Sequence, residues 1–473
     1  MKNIIKYIAL IIIPFCTMMI SCESEDNYDT SDSPNLTYIR NIRILNVADT
    51  VIPGKVNELT KEIKFPKLDS LSDLSAVRFA VDLPEGAHLD QETYDFTVAE
   101  GETQKQLTVT VVNGKRYREY LVTIRLSMPI FGADFTKAKV YDHARSGGNI
   151  YPDFDGILTR SADIDSEHVL IVSRVNGTNL HLLKLDDLKQ GNINPIALDM
   201  TDVGGGAYTV SSGRFSHGHI YVCNLVTSTA APFTIYHWDN ATAVPTKVFS
   251  ETAPLARVGD DLSVNLDENG NGYIYSGTNS THNLVRIKVT GFTTLSEPVA
   301  IPMAYGTRLW NYFNLVEGST TEYLFTKADI PIHLVSYDGT VQYSMATTAF
   351  PLGASDPRIF NYNEKRYFGF VTANLGTVNC PDNILHVYDI TRGATTQEAL
   401  ELLEAGSKIP ELKYDMKGSA TASAYPANFN WAISEDSDFL YLLGASPNSG
   451  FVFIEAPKAE EYDEYYYLND DWK

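Results

Sequence analysis

His168-Val169-Leu170-Ile171-Val172 opens a pattern that returns five more times. The others are His219-Ile220-Tyr221-Val222, Tyr273-Ile274-Tyr275, Tyr323-Leu324-Phe325, Tyr367-Phe368-Gly369-Phe370 and Leu440-Tyr441-Leu442-Leu443. Short aromatic and β-branched runs bounded by turn residues read as buried strands. The first five stand roughly 44 to 54 residues apart, the rhythm of propeller blades. The last gap is longer, and a helical insertion accounts for it. Thr395-Thr396-Gln397-Glu398 makes a capping box, Ala399 to Leu403 is helix-forming and Gly406 can end the helix.

Each run has strand neighbours. Leu262-Ser263-Val264-Asn265-Leu266 and Trp310-Asn311-Tyr312-Phe313 precede theirs as inner strands. Leu182-Leu183-Lys184-Leu185-Asp186, Ile235-Tyr236-His237-Trp238-Asp239, Leu334-Val335-Ser336-Tyr337-Asp338 and Val387-Tyr388-Asp389 follow theirs and end in Asp. Thr246-Lys247-Val248-Phe249 supplies a fourth strand. Four strands repeated six times predict a six-bladed β-propeller over residues 128–473. Seven blades would need a further repeat between 128 and 160 or in the tail. Residues 131–141 are expected to close the ring by completing the last blade.

Residues 36–127 read as a separate all-β unit, expected to be a β-sandwich. Tyr38 to Ile44, Glu62 to Phe65, Ala76 to Val81, Thr93 to Val98, Gln106 to Val111 and Tyr120 to Ile124 alternate with period two, and Asn113-Gly114 suits a tight hairpin turn. Leu71-Ser72-Asp73-Leu74-Ser75 followed by Leu83-Pro84-Glu85-Gly86-Ala87 resembles the immunoglobulin-like modules found just after the lipid anchor in Bacteroidota lipoproteins. That resemblance implies a spacer without chemistry of its own. The whole chain is thus expected to be all-β.

Residues 1–22 carry Lys2 and Lys6, an apolar run from Tyr7 to Phe15 and Ile20-Ser21-Cys22. A charged start, a short greasy core and a small residue before the cut describe a secretory signal. Ile20-Ser21-Cys22 resembles a bacterial lipobox, in which Cys22 takes the lipid. Residues 23–35 form an acidic tether poor in apolar side chains. Cys-Glu-Ser-Glu-Asp at its start resembles the export signal of Bacteroidota lipoproteins, which implies a lipid anchor in the outer membrane and display on the cell exterior. The complete pattern resembles uncharacterised Bacteroidota lipoproteins joining an immunoglobulin-like module to a propeller, a family with no catalytic motif to carry over.

The formal net charge of -22 excludes a nucleic-acid partner, which would need a basic footprint. Cys223 and Cys380 are expected as buried thiols rather than a bridge, and no Cys-x-x-Cys pair is present. There is no Gly-x-Ser-x-Gly, no His-Glu-x-x-His, no phosphate loop and no dinucleotide fingerprint. Asp267-Glu268-Asn269-Gly270-Asn271-Gly272 starts like a calcium loop, but Thr278 stands where that loop needs Glu, so a hairpin turn is expected. His217 and His219 could share a strand face, yet no third ligand is legible. No catalytic residue, metal site or cofactor is assigned.

The candidate ligand-binding residues lie in the loops that lead from one blade into the next, all of which open on one face of a propeller. They are Arg145, Arg257 with Asp260, Arg308 before Trp310, Asp356 with Arg358, and Tyr425 with Asn428, beside the Gly204 to Gly206 run. Charged, aromatic and amide side chains converging on one rim suit a polar ligand. The leading expectation is a surface lipoprotein binding a glycan or another extracellular polymer there. One alternative is a polysaccharide lyase or hydrolase using Asp260 or Asp356. Another is a platform for a protein partner in an outer-membrane complex.

Overall fold

The computed structural model describes residues 35–459 apart from 48–49, 70–71, 100–101, 128–130, 176–178, 253–254, 278–282, 304–310, 328–329, 349, 351–352, 373–382 and 419–425. The chain divides into two compact units between Pro129 and Ile130.

In the N-terminal unit the strands run edge to edge in the order Phe79–Asp82, Asn41–Ile44, Ile52–Asn57, Glu62–Lys64, Arg116–Ser127, Gln104–Asn113, His88–Leu89, with Leu68–Asp69 also beside Arg116–Ser127. The expected Asn-Gly hairpin is present, with Gly114 at φ +60 joining Gln104–Asn113 to Arg116–Ser127. The two opposed sheets of an immunoglobulin-like sandwich, expected for 36–127, are replaced by one curled sheet, a half-barrel. The physical cause is the parallel pairing of Glu62–Lys64 with Leu121 to Thr123, which joins the two strand groups into one path. Ile42, Phe65, Phe96, Val109, Tyr120 and Val122 fill the inside of the curl.

The C-terminal unit is a six-bladed β-propeller. Each predicted run becomes the second strand of a blade: His168–Ser173, His219–Leu225, Gly272–Ser276, Glu322–Lys327, Lys365–Thr372 and Phe439–Ser446. The first strands are Thr159–Ile164, Tyr208–Ser216, Ser263–Leu266, Asn311–Leu315, Ala354–Tyr362 and Asn428–Ile433, and each packs against the next around a closed ring. The second strands are buried between neighbouring blades, which is why their central residues are mostly aromatic and aliphatic. The ring closes when Lys139–Ala144 adds as fourth strand to Gly450–Pro457 in blade 6, a little beyond the 131–141 stretch expected to do so.

Local signals hold as well. Asp267 accepts from the N–H groups of Asn269 and Asn271 at 2.9 and 2.8 Å, making the tight turn between the first two strands of blade 3. The insertion in blade 5 is the helix Thr396–Ala405; Thr395 caps it through the Glu398 N–H, and Glu398 reaches back to the Ala394 N–H. Cys223 is a buried free thiol whose pKa burial pushes up to about 12, while Cys380 lies outside the described residues.

Antiparallel strand order gives the ring two faces. Loops entering each first strand, and those joining second to third strands, open on what we term the entry face. Loops joining first to second and third to fourth strands open on the opposite face.

Burial also sets a pH response. His333, in the third strand of blade 4, meets Ser344 Oγ at 2.7 Å, and burial pushes its pKa down to about 4. The unfolded chain takes up this proton near pH 6.5 and the folded chain only near 4. The stability it contributes is therefore complete above pH 6.5 and is lost as pH falls towards 4. Between pH 7 and 4.5 the Tm of His333→Gln should fall less steeply than that of the wild type; parallel curves in a thermal-melt series would contradict this assignment.

Candidate functional site

A first strand has a hydrogen-bonding neighbour on one side only, so its other edge faces the axis with unpaired N–H and C=O groups. Buried backbone groups of this kind need partners. Polar side chains supply them, each reaching from one blade to the next. Ser161 donates to Gly213 O at 2.9 Å, and Asp163 accepts from Phe215 N at 2.7 Å. Asn265 donates to Phe313 O and accepts from Leu315 N, both at 2.8 Å. Ser355 donates to Ala427 O at 2.6 Å, and Asn428 accepts from Ala162 N at 3.1 Å.

Arg214 lies at the centre, 1% exposed. Its guanidinium donates to Leu262 O at 3.1 Å, to Ala162 O at 3.0 Å and to Asp356 Oδ2 at 2.8 Å, tying blade 2 to blade 5 opposite it. Asp356 also accepts from Asn314 Nδ2 at 2.8 Å and lies 3.4 Å from Arg358. Asp163 accepts from Asn430 as well. Burial raises the Asp163 pKa; burial also opposes the charge on Arg214, but Asp356 and Asp163 outweigh it and raise its pKa. A bulge between Ser355 and Arg358, with Asp356 at φ +51, aims this carboxylate inward.

Three of the sequence-derived rim residues are therefore axial. Asp356 and Arg358 belong to the central ion cluster, and Asn428 bonds the Tyr312 hydroxyl at 2.8 Å besides Ala162 N. Their polar groups serve neighbouring blades rather than a rim. Arg145 is at the entry face, held by Asn448 O at 2.7 Å and Asp155 at 2.8 Å. Cys22, Arg308, Trp310 and Tyr425 lie outside the described residues.

The entry face gathers a second charge cluster, centred on Asp260. Gly259, at φ +99, packs its backbone against Asn224 O where a Cβ would collide, and so sets the turn that buries the next residue. Arg257 holds Asp260 with two N–H groups, one at 2.7 Å, and this hydrogen bonding raises its pKa. Arg174 donates to Asp260 Oδ1 at 3.2 Å and to Ser211 at 2.7 Å, and stacks over the Tyr208 ring at 5.1 Å. Burial lowers the Arg174 pKa. Arg160 stands 4.0 Å from the same carboxylate. Three guanidinium groups thus approach one aspartate, and Arg257 is the one with its side chain a quarter exposed. Next to it, burial raises the pKa of Asp261 to about 7, with Asp260 adding to the shift; Asp261 accepts from Gly277 N and Asn311 N.

Sequence reading found Arg257 and Asp260 but missed Arg160, Arg174 and Arg214. Arg214 was signalled by a lone cation inside the strand Ser211-Ser212-Gly213-Arg214-Phe215. On the opposite face, a cleft of about 400 Å³ between blades 4 and 5 is lined by Glu317, Glu322, Asn361, Arg366 and Thr395. Glu322 is already bonded to the Thr396 hydroxyl and Arg366 to Gly393 O, so these polar groups are satisfied internally.

The family model described as "Domain of unknown function (DUF4623)" matches residues 25–459. The chain belongs to the DUF4623 family. A crystal structure of a DUF4623 protein from Bacteroides eggerthii DSM 20697 is 34% identical, matches over 90% of this chain and 99% of its own, and superposes with a TM-score of 0.75. A protein of unknown function from Bacteroides caccae is 12% identical over 65% of this chain and 91% of its own, with a TM-score of 0.34. The WD40 domain of Toxoplasma gondii coronin is 11% identical over 71% and 90%, also at 0.34. No curated protein matches the chain.

In this DUF4623 propeller the axial ion pair makes a clear demand. Asp356→Ala leaves Arg214 buried without its main partner and should destabilise the protein by about 3–5 kcal/mol in urea unfolding. A change below about 1 kcal/mol would mean the pair does not hold opposite blades together.

Proposed function

We propose that this DUF4623 protein is an outer-membrane lipoprotein, held by a lipid on Cys22 and facing the cell exterior, whose propeller binds an acidic extracellular polysaccharide on its entry face. The N-terminal unit serves as the spacer. The observation that carries this reading is the convergence of Arg160, Arg174 and Arg257 on Asp260. Guanidinium groups present planar donor pairs that match carboxylate and sulfate oxygens. The chain's charge of -22 repels polyanions in general, so an acidic polymer would dock only where cations are concentrated. Tyr208, half-buried and stacked under Arg174, borders the cluster.

Affinity electrophoresis of the full-length chain through gels containing polygalacturonate, chondroitin sulfate or neutral dextran tests the proposal. Retardation is expected in one or both acidic polymers and not in dextran, weakened about tenfold, or roughly 1.4 kcal/mol, by Arg257→Ala. Equal mobility in all three gels, or retardation in dextran alone, would remove the arginine cluster as the binding site.

A further inference from the structure

Two adjacent strands of blade 2 bring together three side chains at the opposite face. His219 begins the strand His219–Leu225; His237 is the penultimate residue of Pro232–Trp238, and Asp239 follows it. The antiparallel register sets Tyr221 against His237. With period two, His219 and Tyr221 share one face of the sheet with His237 and Asp239. His219 Nδ1 lies 2.9 Å from His237 Nε2 and 3.7 Å from Asp239 Oδ1; His237 Nδ1 is also 3.7 Å from Asp239 Oδ1. One ligand atom from each of the three falls within 4.8 Å of the others.

We propose that His219, His237 and Asp239 form a binding site for a first-row divalent transition-metal ion, Zn²⁺ first among them. Tetrahedral ligands about 2.0–2.1 Å from zinc stand about 3.3–3.4 Å apart. His237 turns Nε2 to His219 and Nδ1 to Asp239 and can give an ion only one of them, so the shell closes from donor atoms within 4.8 Å of one another by rotation of the exposed Asp239 side chain. Two imidazoles and a carboxylate select zinc, copper or nickel over calcium and magnesium, which take oxygen ligands. The site is built as well as reachable. The His219 ring is held by stacking on Phe292, with centroids 4.0 Å apart, and the His237 side chain is 1% exposed. The Asp239 side chain is 70% exposed, which opens the cluster to solvent. Three protein ligands leave a fourth position for water or an external group. His217, which would share a face with His219 on a regular strand, turns at φ +50 towards Leu266 O, 3.0 Å from its Nε2.

Calorimetric titration of ZnCl₂ into the full-length, chelator-treated chain should show one saturable ion per chain, and Co²⁺ in its place should give the visible absorption of a tetrahedral site. Asp239→Asn, at an exposed position, and His219→Phe, which keeps a ring against Phe292, should each weaken Zn²⁺ binding tenfold or more. His88→Ala, in the N-terminal unit, should leave it unchanged. No saturable uptake by the wild type, or wild-type affinity in both ligand variants, would overturn the proposal. Should His219→Phe fail to fold, Asp239→Asn decides the matter alone.

Discussion

Six strand edges meet at the axis of this propeller, and each arrives with backbone donors and acceptors that no sheet partner can reach. Leaving them unpaired away from water would cost on the order of 1–3 kcal/mol per group. The chain answers with Ser161, Asp163, Asn265, Ser355 and Asn428, whose side chains bond the backbone of the next blade round. Arg214 and Asp356 then join opposite blades through the middle. The axis is consequently occupied by a polar cluster that fixes how the blades sit against each other. A second charge cluster, Asp260 and the arginines around it, lies at the entry face.

The parts of the fold that were legible in the sequence depend on local burial. A second strand is covered by neighbouring blades on both sides, so His168 to Val172 and its five counterparts had to be apolar, and their spacing could be measured. The helix at 396–405 was legible because a capping box is a short-range device. The N-terminal half-barrel was not, since the parallel pairing of Glu62–Lys64 with Leu121 to Thr123 joins segments about sixty residues apart and leaves no local trace. The unit looked like a sandwich because alternation reports which face of a strand is buried, not which strand lies next to it.

Candidate sites were harder to read for the same reason. Asp356, Arg358 and Asn428 sit near loops in sequence, so polarity there looked like a rim, yet an inward bulge and the ring's inner edge make them internal. Polar residues at alternate positions, as in Ser161-Ala162-Asp163 and Ser263-Val264-Asn265, look like a strand's wet face, whereas here they face other backbone. Arg174 meets Asp260 from another blade, and His219 meets His237 and Asp239 through cross-strand register. Nothing in their spacing announces those meetings.

Ring closure carries a consequence for the order of events during folding. Blade 6 is assembled from Asn428–Ile433, Phe439–Ser446, Gly450–Pro457 and Lys139–Ala144, and the final pairing sets Ala144 against Gly450. Until the polypeptide through Pro457 has emerged, Lys139–Ala144 has no partner strand, and the apolar flanks of the first and fifth blades have nothing to pack on. A nascent chain therefore holds an open, adhesive arc rather than a smaller stable ring. Its completion is a single late event spanning some three hundred residues, which makes folding intrinsically slow. For a protein of this build, protection of the open arc matters until Lys139–Ala144 is seated against Gly450–Pro457.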